Sequence, residues 1–124
     1  MKNDNVLVVS AHAADFVWRS GGTMAKYIKA GAKVSLVILS YGVRGESNDL
    51  WKAEGQTAEN VNSFRAAEVD KALECLGITD VEFWDLEDYN MDLTNEHMDR
   101  MVKKIRKERP YHLITHGVKD VFNP

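Results

Sequence analysis

Four short apolar runs punctuate the chain, and between them the apolar positions spread out to helical spacing. The first run, Val6-Leu7-Val8-Val9, is aliphatic and mostly β-branched without alternation, as expected for a strand buried on both faces of a parallel sheet. Over residues 16–30 the pattern turns helical, with Met24, Tyr27 and Ile28 on one stripe and Gly31 as its stop. Residues 33–40, built on Val34-Ser35-Leu36-Val37-Ile38-Leu39, read as a second buried strand. Two such strands joined by a helix make a βαβ unit with a right-handed crossover. Residues 41–56 are a long polar loop containing Gly42, Gly45 and Gly55, and loops of this length within a compact domain are often functional.

Thr57 is placed to cap a helix ending at Leu76-Gly77, with Val61, Phe64, Ala72 and Leu76 expected on its buried stripe. Val81-Glu82-Phe83-Trp84 is the third strand. The next helix begins at Thr94, where Leu93 can pack against Met98 as a hydrophobic staple, and its expected core stripe is Met98, Met101, Val102 and Ile105. Arg109-Pro110 closes it before a fourth strand, His112-Leu113-Ile114-Thr115-His116. The order βαβαβαβ predicts an α/β fold, an open parallel sheet with helices on both faces. If the first three strands run outward as 3-2-1 and the fourth returns beside the first, the loops after strands one and four meet. His12 and Asp15 then lie beside His116 and Asp120, about a hundred residues away in sequence.

Composition narrows the setting. The 124 residues are 44% hydrophobic and 28% charged, which suits one domain, 1–124, with a modest core. A net charge of -3 does not suggest a nucleic-acid partner, and the basic run from Lys103 to Arg109 suits the end of a helix. Cys75 is the only cysteine, so no disulfide can form within the chain; a reducing, cytoplasmic setting is expected, with Cys75 as a small core residue. The N-terminus carries no leader pattern, and no apolar stretch approaches the ~20 residues of a membrane span.

The most specific chemistry lies in Ser10-Ala11-His12-Ala13-Ala14-Asp15, just past the first strand. A histidine and a carboxylate three residues apart on a tight loop can be metal ligands; equally, the histidine can be packed at a strand end and the aspartate can cap the next helix. His116 has the same two readings, as a site residue or as a strand-end histidine hydrogen-bonded to backbone. Gly21-Gly22 lacks the surroundings of a dinucleotide or Walker A phosphate cradle. Arg44 with Glu46 reads as a surface ion pair, and Arg65 with Glu68, three apart on a helix, most simply as an intrahelical pair.

Taken together, these residues resemble a known family. Ala11-His12-x-x-Asp15 followed by Gly21-Gly22 is similar to the zinc-binding signature of the PIG-L/LmbE-like family, whose deacetylases carry Ala-His-Pro-Asp-Asp and a later Gly-Gly. Arg65-x-x-Glu68 ahead of Leu76-Gly77, and Arg109-Pro110 leading to Thr115-His116 and Asp120, extend the resemblance along almost the whole chain. It implies a Rossmann-like sheet, with zinc held by His12 and Asp15. The deacetylase general base falls on Ala14 and the usual proline on Ala13. Loss of such a base removes roughly 10²–10⁴-fold of rate. The family's later His-Pro-Asp-His segment supplies a catalytic histidine and the third zinc ligand; Asn123 stands where that histidine would be, and the third ligand is expected beyond Pro124.

Ser10 to Arg19, with Gly42-Val43-Arg44-Gly45-Glu46-Ser47, is similar to one branch of the family, the zinc-dependent 4-oxalomesaconate hydratases of aromatic-acid degradation. The resemblance implies a small polycarboxylate substrate held by Arg19, Arg44 and His116, with proton exchange at Glu46, a catalytic place for Asn123 and Asp120 supporting the ligands. An N-acyl deacetylase using Glu46 as its base, and a non-catalytic binding domain, are the other readings. The chain is expected to be the N-terminal part of a longer domain, with an apolar edge or face that promotes homo-oligomers.

Overall fold

The computed structural model describes residues 4–45, 47–88 and 91–118. In chain order the elements are β1 (Asn5–Ser10), α1 (Asp15–Lys29), β2 (Lys33–Ile38), α2 (Asn48–Trp51), α3 (Ala58–Leu76), β3 (Asp80–Phe83), α4 (Asn95–Glu108) and β4 (His112–Ile114). All four strands are parallel in the order β3-β2-β1-β4, the order expected if the chain follows the dinucleotide-fold pattern. β1 is central: Val6 and Val8 face Val34 and Leu36 of β2 on one side, and His112 and Ile114 of β4 on the other.

Residues of opposite pleat feed two cores. Val6, Val8, Leu36 and Ile38 pack with Phe16 and Met24 of α1 and Val69 and Leu73 of α3. Leu7 and Val37 point to the other face, where Leu39 and Trp84 complete a smaller core against Met101 and Ile105 of α4. An unbroken apolar run therefore serves both faces of the sheet, since successive side chains alternate. Helix ends follow local chemistry. The Thr57 hydroxyl accepts the Asn60 amide, Gly77 takes the left-handed conformation at φ +74°, and Thr94 and His97 satisfy each other's backbone N–H.

Several sequence expectations are corrected here. The 41–56 segment contains the one-turn helix α2, started by Ser47. Cys75 is exposed, not in the core. On α3 the buried stripe is Val61, Val69 and Leu73, and Phe64 is half exposed. On α4, Met101 and Ile105 pack inward whereas Met98 and Val102 are exposed, as is Leu93. Apolar residues clustered on one helix surface leave the rotation of the helix ambiguous by about one position, and the sheet side chains beneath decide it. β4 ends at Ile114, so Thr115 and His116 lie past the strand.

α4 is also tied to the sheet by charge. Glu108, 8% exposed, accepts from Lys33 at 3.0 Å and Lys104 at 3.3 Å, and takes the Ser35 hydroxyl at 3.3 Å. Lys104 also lies 3.3 Å from Glu82, and Lys33 3.4 Å from Asp80. Burial pushes the Glu108 carboxyl up, but hydrogen bonds from Lys33 and Lys104 outweigh it and hold it below its usual range. Asp80 and Glu82 are lowered in the same way, against burial, by Ser35 and by Trp84 respectively, each with cationic neighbours. Carboxylates depressed in the folded state contribute stability above their unfolded values and lose it as pH falls through the folded ones. Thermal melts should therefore show stability falling on acidification through and below the ordinary carboxylate range. Glu108→Gln should cost about 2 kcal/mol at neutral pH and flatten that acid dependence; equal slopes in variant and wild type would refute the assignment.

Candidate active site

The site forms where β1 ends. Ser10 donates its hydroxyl to the His12 carbonyl at 2.7 Å, and the Asp15 amide reaches the same carbonyl at 3.3 Å, closing a tight turn over residues 12–15. Within that turn the Asp15 carboxylate folds back and accepts the His12 amide at 3.0 Å. It does not cap α1: the N-cap is Ala14, which offers no side-chain bond. The helix thus begins without a side-chain cap, and the carboxylate expected to serve it is committed to the histidine instead.

Both side chains are buried, with His12 8% and Asp15 9% exposed. His12 Nδ1 lies 3.5 Å from Asp15 Oδ2, and His116 Nε2 approaches the same oxygen at 3.5 Å. Burial pushes the Asp15 carboxyl up, yet hydrogen bonds from the His12 side chain and amide, and the charges of His12 and His116, leave it below its usual value. Arg19 Nε stands 3.9 Å from Asp15 Oδ1 on the next turn of α1. The strand order accordingly brings His12, Asp15, Arg19 and His116 together.

The pair His12 and Asp15 suits a metal. Donors each about 2.1 Å from a zinc ion at tetrahedral angles stand roughly 3.4 Å apart, which the His12–Asp15 separation matches. His116 is differently committed, because its Nε2 accepts the Ala11 amide at 3.0 Å. A neutral His116 then carries its proton on Nδ1, and its lone pair is engaged by backbone. This is the strand-end hydrogen bond anticipated from sequence, at a position that still borders the site. Among the described residues no three His, Cys, Asp or Glu side chains are arranged to hold a metal ion.

Arg44 stands on another part of the same sheet edge. It is exposed and lines a hollow of about 220 Å³ with Glu59, Asn62 and Asp88. Arg65 pairs with Glu68 at 2.8 Å, as its helical spacing suggests, and also donates Nε to the buried Ser47 hydroxyl at 2.8 Å. A larger, mainly apolar hollow of about 490 Å³ opens against His12 and His116, walled by Trp84, Met98 and Met101. Glu46, Asp120 and Asn123 lie outside the described residues. Sequence reasoning missed Asp88, Ser47 and Trp51, which hold the Arg44 loop. Nothing in their spacing marks them: Ser47 and Trp51 bond backbone carbonyls of their own loop, and Asp88 bonds backbone amides more than forty residues away.

Comparison with known proteins agrees with this geometry. The family model PIG-L, described as GlcNAc-PI de-N-acetylase, matches residues 7–123. The chain is 40% identical over 119 residues to 4-oxalmesaconate hydratase of Pseudomonas putida, covering 96% of this chain and 46% of that protein. It is 34% identical over 80 residues to the 1D-myo-inositol 2-acetamido-2-deoxy-alpha-D-glucopyranoside deacetylase of Geodermatophilus obscurus, covering 63% of this chain and 27% of the relative. The crystal structure of GalB, the 4-carboxy-2-hydroxymuconate hydratase from Pseudomonas putida KT2440, superposes with a TM-score of 0.91 at 40% identity. That match covers 97% of this chain and 50% of GalB, so the chain spans about half the length of these hydratases. With the sheet, the His12–Asp15 turn and the family model in agreement, the chain belongs to the PIG-L family.

Proposed function

We propose that this chain is part of a zinc-dependent hydratase that adds water to an unsaturated keto polycarboxylic acid of the 4-oxalomesaconate kind. The observation that carries the reading is Ala14. Two buried metal-type donors, His12 and Asp15, flank a methyl group where the family's deacetylases keep a carboxylate base. The deacetylases of the family take up a proton at that place during amide hydrolysis. Hydration of a conjugated acid can place it elsewhere, because the proton is delivered to a carbon. The 40% identity to the Pseudomonas putida hydratase supports the same choice.

His12 and Asp15 would hold the zinc as two of its protein ligands. Such an ion, when bound, supplies Lewis acidity toward a carbonyl or carboxylate oxygen. The protein's own residues do the rest. Arg19 and Arg44 grip substrate carboxylates, and their planar guanidinium groups suit bidentate contact. His116, oriented by the Ala11 amide at its Nε2, borders the space for the substrate. Glu46 and Asn123 serve proton exchange at the reacting carbon and oxygen, and Asp120 orients the metal ligands. The enzyme works in the cytoplasm as a homo-oligomer on a small molecule, without nucleic acid; among the described residues no helix is long and apolar enough to cross a membrane.

The deacetylase relatives keep a second reading in view, in which Glu46 replaces the missing base. A panel of substrates separates the two: the full-length protein should hydrate the unsaturated tricarboxylic acid and leave N-acetylated amino sugars intact. Deacetylation at a rate rivalling hydration would sink the first reading. Metal binding gives a further expectation, measured by titration calorimetry. The full-length protein should take up one zinc per chain, and Asp15→Asn should weaken that binding by at least roughly 100-fold. An unaltered affinity would remove Asp15 from the ligand set.

A further inference from the structure

We infer that Asp88 is a positioning residue that fixes the loop carrying Arg44, and so sets how the site grasps an anionic substrate; the inference rests on the hydratase reading. Past the strand ends, the backbone remains paired across the sheet edge. Leu39 and Ser40 donate to the Ser10 and Ala11 carbonyls at 2.9 and 3.0 Å, one residue from His12. Trp84 and Leu86 donate to Ile38 and Leu39 at 3.0 and 2.8 Å, which fixes the path leading to Asp88.

The loop after β2 is then held at several points. Gly42 is bound through the hydroxyls of Ser40 and Ser47, and the Val43 carbonyl accepts the Trp51 indole at 2.6 Å. The amides of Arg44 and Gly45 both turn to the Asp88 carboxylate, that of Arg44 at 3.0 Å from Oδ2. Two N–H groups converging on one carboxylate form charge-assisted bonds. Asp88 thereby connects the exit of β3 to the tip of a loop whose base is joined to the His12 turn. A guanidinium side chain on an ordered backbone loses less freedom when it closes on a carboxylate than one on a loose loop. The role is indirect, since the Asp88 carboxylate is occupied by backbone.

Hydrogen exchange and steady-state kinetics on the full-length protein test this, comparing wild type with Asp88→Asn, Asp88→Ala and the exposed control Asp49→Asn. Removing Asp88 should speed amide exchange in a peptide spanning residues 42–47 and raise KM for the unsaturated tricarboxylic acid by about 10-fold, with kcat within about 3-fold. Asp88→Glu should recover part of both effects, and Asp49→Asn should change neither. Unchanged exchange in that peptide overturns the inference. So does faster exchange that spreads equally to β1 and β2 with a lowered Tm, since that marks a general structural role. If wild type hydrates no such acid, the functional reading fails by itself; the exchange comparison then decides whether Asp88 holds the loop.

Discussion

Everything at the site depends on hydrogen bonding that continues after the sheet has formally ended. β1 is paired on both sides, and its loop remains tied to its neighbours: Ala11 accepts from Ser40 through its carbonyl and donates to His116 through its amide. One residue thus joins the exits of three strands. A single hydrogen bond of this kind contributes only about 1 kcal/mol net. Its importance here is geometric, because it fixes the relative heights of the three loops from which His12, His116 and Arg44 emerge.

A second dependence runs through Asp15. Many aspartates ahead of helices serve the first amides of the helix, and that reading follows naturally from spacing. Here the carboxylate turns toward His12, leaving α1 to start at Ala14 without a side-chain acceptor. Forgoing a cap costs a helix about 1 kcal/mol, so the fold accepts a local loss to place an anion between two imidazoles. The same carboxylate satisfies the His12 amide, and the turn is ordered by the group that would bind metal. Structure and chemistry share one side chain.

The sheet was legible from the sequence because fully buried parallel strands leave continuous β-branched runs, and because glycine and proline mark helix ends for steric reasons. The order of the strands, and with it the meeting of His12 with His116, followed from assuming the dinucleotide-fold pattern for a βαβαβαβ chain, an order the sheet adopts. The rotation of α3 and α4 did not. Phe64, Met98 and Cys75 each lie within one helical turn of residues that pack on a core, Val61, Met101 and Ala72, and a small rotation of a helix separates core from solvent. At the site, the His12–Asp15 pair was readable because both residues lie on one turn. Asp88 was not, since a carboxylate that binds backbone amides more than forty residues away leaves no periodic trace.

The apolar hollow beside His12 and His116 bears on the electrostatics of the whole pocket. Trp84, Met98 and Met101 offer few permanent dipoles that can reorient around a charge placed against them. Attraction between unit charges grows as the surrounding medium loses its capacity to screen, from about 1 kcal/mol at 4 Å in bulk water to about 4 kcal/mol near a protein surface. The wall that receives the carbon skeleton of a substrate would therefore lengthen the reach of every charge around it. A charged group approaching from solvent would feel the charges beside this wall before it touched them, and the greasy side of the pocket would have strengthened the pull of the polar side.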